Sequence, residues 1–313
     1  MSVGTNIKKR RYELRMSQQE LAYRMGYKTR STIAKIESGE NDVSQKKLQK
    51  FALVLDTTVE ALVSGYQSEQ IAVTSDTSCI NDKVNKNAVI ILAGGKTVLN
   101  NRNIPNQFIN INGKPLIIYS MEVYQAHPFV DDIYVVCLKG WEQIVESYCK
   151  QFGISKLRYV ITGGKSGTES LKCAYDYIKD KYSPTDYIII HEATRPLVNI
   201  ETISRLLVAS AKTGSATISH TMNNYVQFDV SGKYPEYIDR ESTVAMQSPE
   251  AHRLSILSEV FNLVKKMKLP LTESCCTMLM YNLGLDINFI EGNINNIKIE
   301  RDEDIARFTA FCK

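Results

Sequence analysis

Three clusters of residues in this chain of 313 residues have the types and spacing to do chemistry. The first is Ala88 to Phe108, AVIILAGGKTVLNNRNIPNQF, in which the apolar run Ala88 to Leu92 reads as a buried parallel strand leading straight into Ala93-Gly94-Gly95. Side chains this small let backbone N–H groups approach a phosphate or a base, so the turn reads as a nucleotide cradle. The second cluster is Gly163-Gly164, and the third is His191-Glu192. Each follows an apolar run and so falls at the carboxyl end of a strand, where ligands bind in open α/β sheets. The loop after Gly95 is short of the positive charge that a triphosphate demands, with Lys96 and Arg102 as its cations.

The elements that must hold these clusters alternate between the two periods. Strand patterns at Ile133–Leu138, Leu157–Ile161, Tyr187–Ile190 and Ala216–His220 are separated by helical patterns at Pro115–Ala126, Trp141–Phe152, Ser166–Lys181 and Ile200–Lys212. The tail continues with helices at Leu254–Met267 and Thr272–Leu283, a strand at Ile287–Glu291 and a helix from Asp302. This order predicts a Rossmann-like α/β domain over residues 88–313 with a mostly parallel sheet flanked by helices. His191 reads as a packed strand-end residue, and Met278 and Met280 as helix core.

Composition bounds the rest. With 43% hydrophobic and 23% charged residues the chain is ordinary for a globular protein, which excludes disordered and fibrous classes. Net charge is +4, and residues 1–70 hold 12 Lys/Arg against 8 Asp/Glu, so the whole excess lies in that segment and points to a polyanion partner for it. The seven cysteines form no CxxC pair and read as buried thiols of a reducing compartment. The N-terminus carries no apolar signal region, and no apolar run is long enough to span a membrane, so the expectation is a cytoplasmic protein without membrane contact.

Five short helix signals fill the first domain, residues 1–66. Ser17-Gln18-Gln19-Glu20 reads as a capping box opening a helix that Gly26 closes; Ser31 to Glu37 forms the next, closed by Gly39; Ser44 and Thr58 cap a fourth and a fifth. Residues 67–87 are polar, without sustained period, and read as a linker. Arg15, Ser17, Gln18, Glu20, Leu21, Ala22, Gly26, Ser31, Thr32, Ile33, Lys35, Ile36, Glu37 and Gly39 follow the pattern of the Cro/CI-type helix-turn-helix family, which the domain resembles throughout. That resemblance implies an all-α five-helix domain that binds double-stranded DNA, with Lys28, Thr29, Arg30, Ser31, Thr32 and Lys35 in reach of groove or phosphate, and Ile33 and Ile36 facing the core. A small helical bundle of this kind also serves as a protein-interaction module.

A second resemblance rests on Ala93-Gly94-Gly95, Pro105-x-Gln107-Phe108, Gly113-Lys114-Pro115, Gly163-Gly164 with Ser170, His191 to Pro196, Asp239-Arg240, Gln247-Ser248-Pro249 and Asn296 to Ile299. Their order is similar to that of the cytidylyltransferases that act on methylerythritol 4-phosphate and ribitol 5-phosphate; Ser274 to Leu279 is nearer the ribitol branch. The resemblance implies a nucleotidyltransferase fold, CTP or a CDP-linked product and a phosphorylated polyol as ligands, Mg²⁺ as the assisting ion, and a homodimer formed through residues 221–238. It assigns Ala93, Gly94, Gly95, Gly164, Ser170, Glu192 and Ala193 to the nucleotide, and Arg240 and Lys298 to the second substrate's phosphate. It also exposes departures, since the family's triphosphate arginine and lysine are here Leu99 and Asn106, and the arginine after Gly-Gly is Gly167. Loss of one preorganised donor commonly costs on the order of 10²- to 10³-fold in rate. Lys96 is the candidate substitute. Two readings follow: a DNA-binding regulator whose body binds such ligands with impaired or absent turnover, and an active cytidylyltransferase with an added DNA-binding head.

Overall fold

In the computed structural model the described residues are 3–14, 16–27, 29–41, 43–55, 57–63, 85–98, 104–222, 226–232 and 234–312. The chain divides into two compact units, Met1–Lys83 and Val84–Lys313. Lys28, Leu99, Arg102 and most of the expected linker lie outside the described residues.

The first unit is a bundle of α1 (Val3–Glu13), α2 (Gln18–Met25), α3 (Arg30–Ser38), α4 (Gln45–Val54) and α5 (Val59–Val63). Helix α2 starts where Ser17 Oγ accepts the Glu20 N–H at 3.1 Å, but the Glu20 carboxylate accepts from Arg24 at 2.6 Å instead of reaching back to close the box. Ser44 occupies the cap position of α4 without a side-chain hydrogen bond. Gly26 and Gly39 end α2 and α3 at φ 77° and 82°, left-handed conformations that glycine reaches without a Cβ penalty. Leu21, Ile33, Phe51 and Leu55 are fully buried at the centre. Within this core Arg11 of α1 grips Glu37 of α3 at 2.6 Å and donates to the Met16 carbonyl at 2.7 Å, while Gln18 adds a 2.9 Å bond to Glu37.

The second unit is built on a seven-stranded sheet of order β11-β7-β10-β6-β1-β4-β5. Its strands are β1 (Asn87–Ala93), β4 (Asp132–Cys137), β5 (Leu157–Thr162), β6 (Tyr187–Glu192), β7 (Ser215–Thr221), β10 (Val244–Arg253) and β11 (Phe289–Glu291). Short strands β2 (Asn110–Ile111) and β3 (Lys114–Pro115) pair with each other, as do β8 (Gln227–Asp229) and β9 (Glu236–Ile238). Helices α6 (Leu116–Ala126), α7 (Glu142–Gln151), α8 (Gly167–Ile178), α9 (Ile200–Thr213), α10 (Leu254–Met267), α11 (Cys276–Asn282) and α12 (Asp302–Phe311) complete the unit. Alternate residues of β1 enter separate buried clusters, Val89 and Ile91 in one, Ala88 and Ile90 in the other, as expected of a strand buried on both faces. Parallel pairing of β1 with β4 and β6 sets Ala93 beside Cys137 and Leu92 beside Glu192, bringing the sequence clusters to one edge.

Two local expectations change. Residues 244–253 carry no strand signal in the sequence reading, yet β10 runs antiparallel between β6 and β7 in the middle of the sheet. Pro249 hides it: a proline lacks the N–H of a central strand, and here the register shifts between Met246 and Glu250 to accommodate it, with a cis Ser248–Pro249 bond. The helix expected from Thr272 begins only at Cys276. Buried Glu250 sets that start, accepting the Cys276 and Thr277 N–H groups at 2.9 Å each, and residues 271–275 are left to dock elsewhere.

Candidate functional site

At the carboxyl ends of β1, β5 and β6 lies a cleft of about 350 Å³. Ala93, Gly94, Gly95 and Lys96 form one wall, and the turn is fixed by Gln107, whose amide donates to the Ala93 carbonyl at 2.7 Å and the Gly95 carbonyl at 2.8 Å. Gln107 is held in turn because the next residue, Phe108, stacks on Trp141 with ring centroids 4.2 Å apart. Asn106 also lines the cleft, but it is only 2% exposed; its amide N–H reaches the Ile299 carbonyl at 3.5 Å and its carbonyl oxygen meets no donor among the described residues. The position at which the family motif places a lysine is therefore a buried neutral amide.

The opposite wall begins with Gly163 and Gly164. Ser170 Oγ accepts the Gly164 N–H at 3.1 Å and would sit 2.9 Å from a Cβ on Gly163, so the glycine turn and the serine pack as one unit. Gly167 begins α8. A Cβ there would lie 2.1 Å from the Ser274 carbonyl oxygen, because the strap 271–275 lies over this helix start and Glu273 accepts the Thr168 N–H at 3.0 Å. An arginine cannot be restored at 167 without lifting the strap. Ser274 lines the cleft in its place.

The floor is ionic. Glu192 accepts from Arg195 Nε at 2.7 Å through one oxygen and from Lys298 Nζ at 2.8 Å through the other. Burial opposes its charge, but the guanidinium and the ammonium outweigh burial and hold the carboxyl below its usual range. Burial likewise works against the charge of Lys298, and the carboxylates of Glu192 and Glu300, the latter at 2.9 Å, reverse the effect and raise its pKa. Arg195 is anchored by the Asn296 carbonyl at 2.9 Å, and Ser248 accepts the Glu192 N–H at 3.0 Å. Beneath them His191 bonds the Arg195 carbonyl and Ser248, at 3.0 and 3.2 Å. Burial pushes its imidazole down to about 4, so it is neutral at pH 7 and positions the Arg195 turn rather than acting as an exposed base.

The structure thus brings Ala93, Gly94, Gly95, Lys96, Gly164, Ser170, Glu192 and Lys298 to one cleft. It does not bring two others. Ala193 is fully buried behind the site, tied to Leu92 and Ser120. Arg240 lies outside the cleft lining, in a short turn between β9 and β10. Sequence reasoning missed Lys165, which lines the cleft directly after the double glycine, and Glu300, two residues beyond Lys298. The two carboxylates of the lining, Glu192 and Glu300, both pair with Lys298, and among the described residues no group of three acidic, histidine or cysteine side chains is arranged around a metal position. This donor set does not fit a protein-held magnesium ion, which needs carboxylate oxygens to spare.

In the first unit Thr29, Arg30, Ser31 and Lys35 are exposed along the start and outer face of α3 and Thr32 is half-buried, while Ile33 and Ile36 are in the core. Thr29 and Ser31 hydroxyls pair at 2.7 Å. No helix among the described residues is long and apolar enough to cross a membrane.

Comparison with known proteins places both units. Residues 7–62 match the helix-turn-helix family model, and residues 87–313 match that of 2-C-methyl-D-erythritol 4-phosphate cytidylyltransferase. A ribitol-5-phosphate cytidylyltransferase of Lacticaseibacillus paracasei is 32% identical over 226 residues, 72% of this chain and 97% of that protein. A 2-C-methyl-D-erythritol 4-phosphate cytidylyltransferase of Clostridium tetani is 28% identical over 232 residues, 74% of this chain and 92% of that protein. The fold is shared with the crystal structure of 4-diphosphocytidyl-2C-methyl-D-erythritol synthase from Anaerococcus prevotii, at a TM-score of 0.61 and 17% identity, covering 73% of this chain and 96% of that one. By its residues 87–313 this chain belongs to the 2-C-methyl-D-erythritol 4-phosphate cytidylyltransferase family, and it carries a helix-turn-helix domain ahead of that fold.

Proposed function

We propose that the protein is a DNA-binding regulator whose cytidylyltransferase-fold body binds a cytidine nucleotide or a polyol phosphate and turns it over poorly or not at all. The observation that carries this reading is the electrostatics of the cleft. Phosphoryl transfer is driven by positioned positive charge. Here Asn106 is a buried neutral amide, and Lys298 is shared between two carboxylates. Gly164 and Ser170, which the resemblance assigns to the base, are held together by a 3.1 Å hydrogen bond beside the cleft, and this supports binding without efficient chemistry.

A second reading has its own support. Lys96 and Lys165 both face the cleft, and the 32% identity to a ribitol-5-phosphate cytidylyltransferase extends over 97% of that relative, so an active CTP-dependent enzyme for a sugar-alcohol phosphate is the alternative. Magnesium in that case would arrive with the nucleotide's phosphates. Pyrophosphate release from CTP and Mg²⁺ with ribitol 5-phosphate or methylerythritol 4-phosphate separates the two. Turnover at the rate of the relatives, abolished by Lys298→Ala, overturns the first reading. Recovery of turnover in Leu99→Arg with Asn106→Lys supports it.

The same reading expects the body to pair. The hairpin β8–β9 exposes Val226, Phe228, Val230, Tyr234 and Tyr237 at 53 to 74%, a set of apolar side chains that a homodimer contact would cover. Paired heads would match half-sites about 34 Å apart. Arg30→Ala with Lys35→Ala should weaken binding to the cognate duplex and flatten its salt dependence; a duplex from the neighbouring promoter left unbound at low salt refutes the DNA reading.

A further inference from the structure

We propose that Glu300 is an internal competitor for the anion seat on Lys298, and so sets the ligand concentration at which the cleft fills. This rests on the reading of Lys298 as a phosphate-binding residue. The two carboxylates on Lys298 are not equivalent. Glu192 is held through both oxygens, by Arg195 at 2.7 Å and Lys298 at 2.8 Å, its backbone is pinned by Ser248, and its side chain is 30% exposed. Glu300 is 56% exposed, and among the described residues its carboxylate meets no donor besides Lys298. Its backbone is fixed independently, since the N–H groups of Glu300 and Arg301 both donate to Asp304 at the start of α12, at 3.0 and 2.9 Å. The side chain can therefore swing away while the chain that carries it stays in place.

An arriving phosphate finds Lys298 already occupied. A phosphate monoester brings a charge of about −1.5 to −2 and three acceptor oxygens, against the single charge of a carboxylate, so it can displace Glu300. Glu192 stays, because removing it would also strip Arg195 of its partner. Ligand binding is then an exchange of one anion for another on a fixed ammonium, and affinity is set by the difference. An exposed pair of this kind weakens a competing anion by about two- to fivefold.

The test is a double-mutant cycle of wild type, Glu300→Gln, Lys298→Gln and the double variant in the full chain, titrated by NMR with inorganic phosphate and with ribitol 5-phosphate. Circular dichroism melts control for folding. Glu300→Gln should tighten both probes about two- to fivefold, with the gain falling to about 1.5-fold or less without Lys298. Complete loss of binding in both Lys298 variants agrees with this result, since the gain then requires Lys298. Unchanged affinity in Glu300→Gln, or an equal gain without Lys298, overturns the competition while leaving the phosphate-binding reading standing. Failure of every variant, wild type included, to bind either probe overturns both.

Discussion

Arg11→Ala should strongly destabilise the helix-turn-helix unit while leaving the stability of the body unchanged, although Arg11 belongs to no candidate contact surface. Its side chain and that of Glu37 are 5% and 2% exposed, and the guanidinium meets the carboxylate through two N–H···O contacts of 2.6 and 3.0 Å while its third donor satisfies the Met16 carbonyl. Truncation leaves a buried carboxylate with Gln18 as its remaining side-chain partner among the described residues, a loss of about 3–5 kcal/mol. A bundle of this size has a total stability of about 3–9 kcal/mol. The substitution therefore removes a large share of it, and with it the seating of α3, whose outer face carries Arg30 and Lys35. Urea unfolding of the full chain by circular dichroism would show the head transition moved to far lower denaturant and the body transition unchanged. Arg11→Met with Glu37→Leu should regain most of the loss, because exchanging a buried pair for apolar groups is close to neutral. A head transition in Arg11→Ala within about 1 kcal/mol of wild type would refute the reasoning.

Three further outcomes follow from the body. His127 and His191 are both pushed down to about 4 by burial, below the unfolded value near 6.5, so their contribution to stability is complete above about pH 6.5 and is lost as pH falls toward 4, at about 1.4 kcal/mol per unit and histidine; a melting temperature equal at pH 7 and pH 5 would contradict this. Gly167→Ala places a Cβ 2.1 Å from the Ser274 oxygen and should cost about 1–3 kcal/mol in thermal unfolding while lowering affinity for cytidine nucleotides; an unchanged melt would show that the strap yields freely. Phe228→Ser with Tyr237→Ser should turn a dimer into a monomer in analytical ultracentrifugation, and a monomeric wild type would dispose of the arm as an interface.

What the sequence made legible is what local chemistry controls. The strand into Ala93-Gly94-Gly95, the double glycine and the end of the YIII strand were readable because apolar runs and missing side chains are properties of neighbours in the chain. Strand β10 was not, because Pro249 breaks its pattern and its place between β6 and β7 is decided by partners far away in sequence. The late start of α11 escaped for a similar reason: the acceptor that caps it, Glu250, sits on that unseen strand. The roles of the cleft residues divide the same way. Lys298 could be marked by its motif, but that Glu300 shares its ammonium, and that Asn106 is buried, are facts of placement that no spacing encodes.

The central position of β10 also governs the order in which the protein can be made. Among the described residues, strand β7 pairs with β10 and β11 only, and one edge of β6 is covered by β10 alone. Until Arg253 has emerged from the ribosome, β6 presents a bare edge and β7 has no place in the sheet, a state open to pairing with other chains. The helix-turn-helix unit, by contrast, has a buried cluster of its own that runs from Ile7 to Leu62. Translation that stops before Val244 would therefore yield a chain with its helix-turn-helix unit complete and its seven-stranded sheet unfinished.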